Sequence, residues 1–143
     1  MEDFKINLFE KEYNRVFIDF EHLDDTQCMF LKKCLNGLFN NNDSIENNLK
    51  LNLKVISYVD DINSLSEVFN TLEIFPIEKI YINWYKFDDI DCLYYNDLIL
   101  YFEDLWFPSS DDIEIFDNTF NWILSIRHDG CISYYKRVMY QKC

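Results

Sequence analysis

The sequence predicts an α+β domain: an antiparallel β-sheet with a C-terminal meander, packed against several α-helices. Two features carry this expectation. Between Ile113 and Lys136, three short runs rich in β-branched and aromatic residues are separated by the turn-prone triplets Asp117-Asn118-Thr119 and His128-Asp129-Gly130. Elsewhere, apolar residues recur at three-and-four spacing, the period of a helix that buries one face. Strand runs joined by tight turns, with helices kept apart from them, point to α+β architecture. With 143 residues, 49% hydrophobic and 18% aromatic, the chain fits a single globular domain over residues 1–143 with ample material for a core.

The elements follow in order. Residues 1–23 intersperse Glu and Lys with Phe4, Leu8, Phe9, Val16, Phe17 and Ile18, which reads as a short helix followed by a strand. From Asp24, with Asp24, Asp25 and Thr26 as N-cap candidates, Cys28, Leu31, Cys34, Leu35 and Leu38 make a helical stripe that ends near Gly37. The polar run Asn40-Asn41-Asn42-Asp43-Ser44 marks residues 40–48 as a loop, and the alternation from Leu49 to Val59 predicts a strand. Asp60 or Asp61 then caps a short helix with the face Ile62, Leu65, Val68, Phe69 and Leu72, stopped before Pro76. Ile80 to Phe87 predicts a strand. Tyr95, Leu98, Ile99, Phe102 and Trp106 form the stripe of a helix that Pro108 ends. The meander runs through Ile113–Phe116, Phe120–Arg127 and Cys131–Lys136.

Composition removes several classes of function. There are 26 acidic and 13 basic side chains, a net charge of -13, so direct binding to a phosphate backbone is disfavoured and a basic protein is the electrostatic complement. Only Gly37 and Gly130 are glycines, too few for a phosphate cradle or a dinucleotide fingerprint. No cofactor is expected. The five cysteines include no C-x-x-C pair; Cys28 and Cys34 read as core residues and Cys143 as an exposed terminal thiol. No run is long and apolar enough to span a bilayer, and the start lacks a secretory pattern, so the expected location is cytoplasmic.

The most informative pattern is charge segregation. From Phe87 to Ile126 there are ten acids (Asp88, Asp89, Asp91, Asp97, Glu103, Asp104, Asp111, Asp112, Glu114 and Asp117) and no Lys or Arg. Carboxylates without local counterions repel one another, which is tolerable as a field prepared for a cationic partner. Their plainer role is a solvated face. Asp88-Asp89-x-Asp91 and Asp111-Asp112-x-Glu114 are expected at strand ends. Trp84 and Trp122 read as core, while Trp106, beside Phe107, Pro108 and acids, suits an aromatic anchor of an interface. The partner-binding set is therefore Asp88, Asp89, Asp91, Glu103, Asp104, Trp106, Asp111, Asp112, Glu114 and Asp117. Exposed acids are expected, so Asp111→Lys with Asp112→Lys should weaken binding without unfolding. His22 and His128 have no nucleophile pattern around them and read as hydrogen-bonded structural residues.

From Ile82 to Tyr135 the order of motifs resembles small acidic bacterial immunity proteins, encoded beside contact-dependent growth-inhibition or other polymorphic toxins. The resemblance rests on Trp106-Phe107-Pro108-Ser109-Ser110-Asp111-Asp112 and on the later Trp122-Ile123-Leu124-x-Ile126-x-His128. It implies a stoichiometric inhibitor, without enzymatic activity, that occludes a cognate basic toxin domain, most plausibly a nuclease. Two alternatives stand beside it: a metal-dependent hydrolase using Asp111, Asp112 and His128, with Asp117 as a further candidate metal ligand, and an acidic adaptor or nucleic-acid mimic. A homodimer through an exposed sheet edge is open, with no residue arguing for it.

Overall fold

The computed structural model describes residues 1–137; Cys143, with its expected exposed thiol, lies outside them. In chain order the elements are α1 (Asp3–Tyr13), β1 (Phe20–His22), α2 (Asp25–Asn36), α3 (Ile45–Asn52), β2 (Lys54–Tyr58), α4 (Leu65–Thr71), β3 (Lys79–Tyr85), β4 (Asp89–Tyr94), α5 (Tyr95–Leu105), β5 (Ile113–Phe116), β6 (Trp122–Ile126) and β7 (Cys131–Lys136). Short 3₁₀ turns occupy Gly37–Phe39 and Val59–Asp61. These seven strands join one antiparallel sheet in the order β1-β4-β3-β5-β6-β7-β2. The chain is thus an α+β domain with a β5-β6-β7 meander, as its sequence predicts.

Helices cover both faces of the sheet. On one, Phe9 of α1, Leu65, Val68 and Phe69 of α4, and Leu98, Phe102 and Leu105 of α5 pack against Ile80, Ile82, Ile115 and Leu124. On the other, Cys28, Leu31 and Leu35 of α2 and Ile45 and Leu49 of α3 pack against Ile90, Phe116 and Ile123. Strand alternation dictates this division, because successive side chains point to opposite faces and both faces here are dry. Burial of so many large side chains, each contributing about 1.5–3 kcal/mol, drives the assembly without any alanine in the helices.

Local chemistry sets the boundaries. Asp24 and Gln27 form a reciprocal capping box at α2, with Gln27 N donating to Asp24 Oδ1 at 2.8 Å and Asp24 N to Gln27 Oε1 at 2.9 Å. Gly37 ends α2 in right-handed geometry, and the left-handed turn comes at Asn40 (φ 52°), a residue type that tolerates it. Gly130, at φ 89°, closes the β6–β7 turn, where its N–H donates to Arg127 O at 2.8 Å.

Four expectations need correction. Residues 40–48 are not all loop: Ser44 Oγ accepts Asn47 N at 3.1 Å and starts α3 at Ile45. The strand expected from Leu49 begins at Lys54, since Ile45 and Leu49 form one buried helical face and Leu51 is 70% exposed. Neither Asp60 nor Asp61 caps α4; Ser64 does, its Oγ accepting Ser66 N at 3.2 Å. Strand β4 has no clear sequence signal because Asp89 and Asp91 interrupt its apolar alternation, and β6 starts at Trp122 because Phe120 takes φ 52°.

The capping correction has a direct test. Ser64→Ala is expected to lower stability by about 1 kcal/mol in urea unfolding, with Asp60→Ala and Asp61→Ala staying within about 0.5 kcal/mol of the parent. A larger loss at Asp60 or Asp61 than at Ser64 would return the cap to the aspartates.

Candidate functional site

The Trp106–Asp112 segment is organised by two carboxylates with different tasks. Asp111 Oδ2 accepts Lys5 Nζ at 2.6 Å and Phe107 N at 2.8 Å, and its carbonyl accepts Trp106 Nε1 at 3.0 Å. Lys5, 1% exposed, also donates to Leu105 O at 2.8 Å and lies 4.2 Å from the centroid of the Trp84 ring. Asp112 is exposed and holds the neighbouring turn: its Oδ1 accepts His128 N at 2.7 Å and meets His128 Nδ1 at 2.9 Å. Burial works to raise the Asp112 carboxyl, but the His128 N–H, its imidazole and Arg127 outweigh it and hold the group below its ordinary value. Ser109 N donates to His128 O at 2.8 Å, which joins the segment to the β6–β7 turn.

These contacts wall a groove of about 740 Å³ between α5, the 59–65 segment and the β6–β7 turn. Asp60, Glu103, Asp104 and Asp129 line it over an apolar floor that includes Ile62, Leu65, Phe102 and Trp106, and among the described residues no Lys or Arg lines it. Trp106 stacks on Phe102 with centroids 5.6 Å apart and planes at 4°. At one end Tyr13 Oη donates to Asp104 Oδ2 at 2.7 Å. That hydrogen bond is the main cause that pushes the Tyr13 phenol up to about 12, so it remains a protonated donor across the neutral range.

The ten sequence-derived residues divide sharply. Glu103, Asp104 and Trp106 meet in the groove, and Asp112 braces its wall. Trp106 is buried floor, contrary to its reading as a projecting anchor, because its indole is tied to Asp111 O and stacked on Phe102. Asp88 is exposed on the β3–β4 turn and Asp89 opens β4, half-buried; neither lines the groove. Asp91, Asp111, Glu114 and Asp117 are buried, contrary to the expectation that these acids are exposed. Asp91 accepts His22 Nδ1 at 2.8 Å and Trp84 Nε1 at 2.9 Å, with the Met1 nitrogen 2.5 Å away. Asp117 Oδ1 accepts Thr119 N at 3.0 Å in a turn. Asp111→Lys would therefore set a second ammonium against Lys5 in a dry site, a folding defect rather than a surface change. Asp60 and Asp129 escape sequence reasoning as groove residues because their local signals read as a helix cap and a tight turn; Lys5 escapes it although its i,i+4 spacing to Phe9 places both on one helix face.

The set Asp111, Asp112, Asp117 and His128 does not assemble: Asp111 is bonded to Lys5, and Asp117 lies at the far end of β5 from the Asp112–His128 pair. Among the described residues no group of three His, Cys, Asp or Glu side chains is placed to hold a metal ion. No helix among them is long and apolar enough to cross a membrane. Comparison with protein-family models, curated proteins and solved structures gave no match, so the resemblance to immunity proteins rests on its motifs alone.

On the opposite face of the sheet, register aligns Asn83, Glu114, Ser125 and Ser133 into a buried polar row across β3, β5, β6 and β7. Asn83 Nδ2 donates to Glu114 Oε2 at 3.0 Å, while the Ser125 hydroxyl has no partner among the described residues. Burial pushes the Glu114 carboxyl up to about 7, against the opposing effects of Arg127 and Asn83. Between its unfolded value and pH 7 the folded chain keeps a proton that the unfolded chain has lost, so this group's contribution to stability falls as pH rises through that window. Glu114→Gln removes the slope. Its stability relative to the parent is expected to improve by about 3 kcal/mol between pH 4 and pH 8 in urea unfolding. Parallel stability profiles for the two chains would contradict the raised value.

Proposed function

We propose that this chain is a cytoplasmic immunity protein that binds a cognate bacterial toxin domain and neutralises it by stoichiometric occlusion. The observation that carries this reading is the groove lined by Asp60, Glu103, Asp104 and Asp129 over an apolar floor, with no Lys or Arg lining it among the described residues. A concave acidic site with an apolar base is the complement of a basic protein surface, since charge guides encounter and desolvated apolar contact retains the complex. Leu100, 71% exposed on the groove's edge, supplies further apolar contact. A nuclease must present Lys and Arg to phosphate oxygens, so carboxylates held in such a groove compete for the groups that bind its substrate. The inhibitor itself makes and breaks no bond and needs no cofactor for this task.

Co-expression with the product of the adjacent upstream reading frame tests the reading, scored by survival and by co-purification. Rescue with a one-to-one complex is expected. Glu103→Lys with Asp104→Lys should slow association about tenfold at low salt, an effect that shrinks as salt screens the field. Asp88→Lys, exposed but outside the groove, should change the rate by about twofold or less. Equal effects at both positions, or a toxic neighbour that this chain neither binds nor silences, would refute the reading.

A further inference from the structure

A second cleft, of about 570 Å³, opens between α3 and the ends of β3, β5 and β6. Its character differs from that of the acidic groove. Lys50 of α3, Lys86 of the β3–β4 turn and Arg127 at the end of β6 all line it, in a chain with only 13 basic residues. Among the described residues neither Lys50 nor Lys86 forms an ion pair, and Arg127 has only a 4.0 Å approach to Glu114 Oε1. Two further acids line it: Glu46, which pairs with Lys32 at 3.2 Å and also feels the charge of Lys86, and Asp112, which holds His128. Leu49 and Phe87 supply an apolar wall.

Glu114, 8% exposed, lines the cleft from β5. Its Oε2 is occupied as an acceptor of the Asn83 amide, and Oε1 has no hydrogen-bond donor among the described residues. A proton on this carboxyl therefore belongs on Oε1, where it can be donated to a ligand. Three cations and one carboxylic O–H then offer donors beside an apolar wall. This combination fits an anionic oxygen group carried on an apolar body, and the volume falls within the roughly 300–1,000 Å³ of small-molecule sites.

We infer that this cleft binds a small organic carboxylate with an apolar body, its oxygens held by Lys50, Lys86 and Arg127 beside the Glu114 carboxyl and its body against Leu49 and Phe87. The site is separate from the acidic groove and stands or falls independently of it. It also has a built-in pH signature, because loss of the Glu114 proton replaces a donor with a repelling charge. The charged groups that face Glu114 are Glu46 and Lys50 from α3, Lys86 from the β3–β4 turn, Asp112 ahead of β5 and Arg127 after β6. His128 stands against Asp112, so Glu114→Gln is needed to assign the effect.

The test is an NMR titration of the ¹⁵N-labelled 143-residue chain with phenylacetate at constant ionic strength, and with phenylacetamide as its uncharged counterpart. Expected are saturable shifts centred on Leu49, Lys50, Lys86 and Arg127, with affinity roughly tenfold weaker at pH 8 than at pH 6. Lys50→Gln with Lys86→Gln should weaken binding about fivefold, Lys33→Gln should leave it unchanged, and Glu114→Gln should abolish the pH dependence. Equal affinity for the amide, shifts scattered over the surface without saturation, or a pH dependence that survives Glu114→Gln would overturn the proposal.

Discussion

A buried ammonium–carboxylate pair, Lys5 to Asp111 at 2.6 Å, couples the first helix to the segment that precedes β5, 106 residues further along the chain. Such a pair is a poor source of net stability, because stripping water from both charges opposes their attraction. Its value here is positional. Lys5 also donates to Leu105 O and lies against Trp84, and Asp111 also receives Phe107 N, so this docking of α1 satisfies both charges at once. Removing one partner would leave the other charged and dry, at about 3–5 kcal/mol. Through Asp112 and Ser109 the same segment fixes His128 and the β6–β7 turn, hence the wall of the acidic groove.

The chain's acids consequently fall into two populations that composition cannot separate. Asp91, Asp111, Asp117 and Glu114 are buried and bonded to named donors, where they specify how strands, turns and α1 meet. Asp60, Glu103, Asp104 and Asp129 line a groove with no Lys or Arg among its lining residues. A net charge of -13 counts both groups with the chain's other acids, yet of these two only the second lines an open groove. Most of the Trp106–Asp112 motif is explained by the first role: Trp106 and Asp111 bond one another, and Asp112 clasps a turn. The motif thus consists mostly of residues that shape the groove rather than of those that line it with charge.

The sheet and its meander are legible in the sequence because β5, β6 and β7 are flanked by turn residues and packed on both faces. Helices α2 and α5 are legible from their apolar stripes, although α5 is kinked at Tyr101 (φ -117°, ψ 23°) and ends at Leu105, so Trp106 of its expected stripe lies beyond it. The elements that differ from expectation share a cause: a local signal that tertiary context overrides. Asparagines 40–42 read as loop while Ser44, two residues on, is already a cap; Asp89 and Asp91 hide β4 because they break its apolar pattern, and Asp91 inside the sheet makes sense only with His22 and Trp84 in place. The groove is half visible. Glu103 and Asp104 lie next to the Trp106 motif, but Asp60 and Asp129 reach it only through folding. Lys5 is invisible as a buried residue because its partner lies so far along the chain.

Native-state amide exchange of the Phe107 and His128 N–H groups, which donate to Asp111 and Asp112, tests most directly whether the buried pair holds the groove. In the parent chain Phe107 should exchange nearly as slowly as the central β3–β5 amides. Lys5→Met preserves much of the side-chain shape while removing the charge; it should accelerate Phe107 and His128 well beyond any change in β3. If Phe107 and His128 keep their protection in Lys5→Met, other contacts hold the groove wall and the organising role of the Lys5–Asp111 pair is refuted.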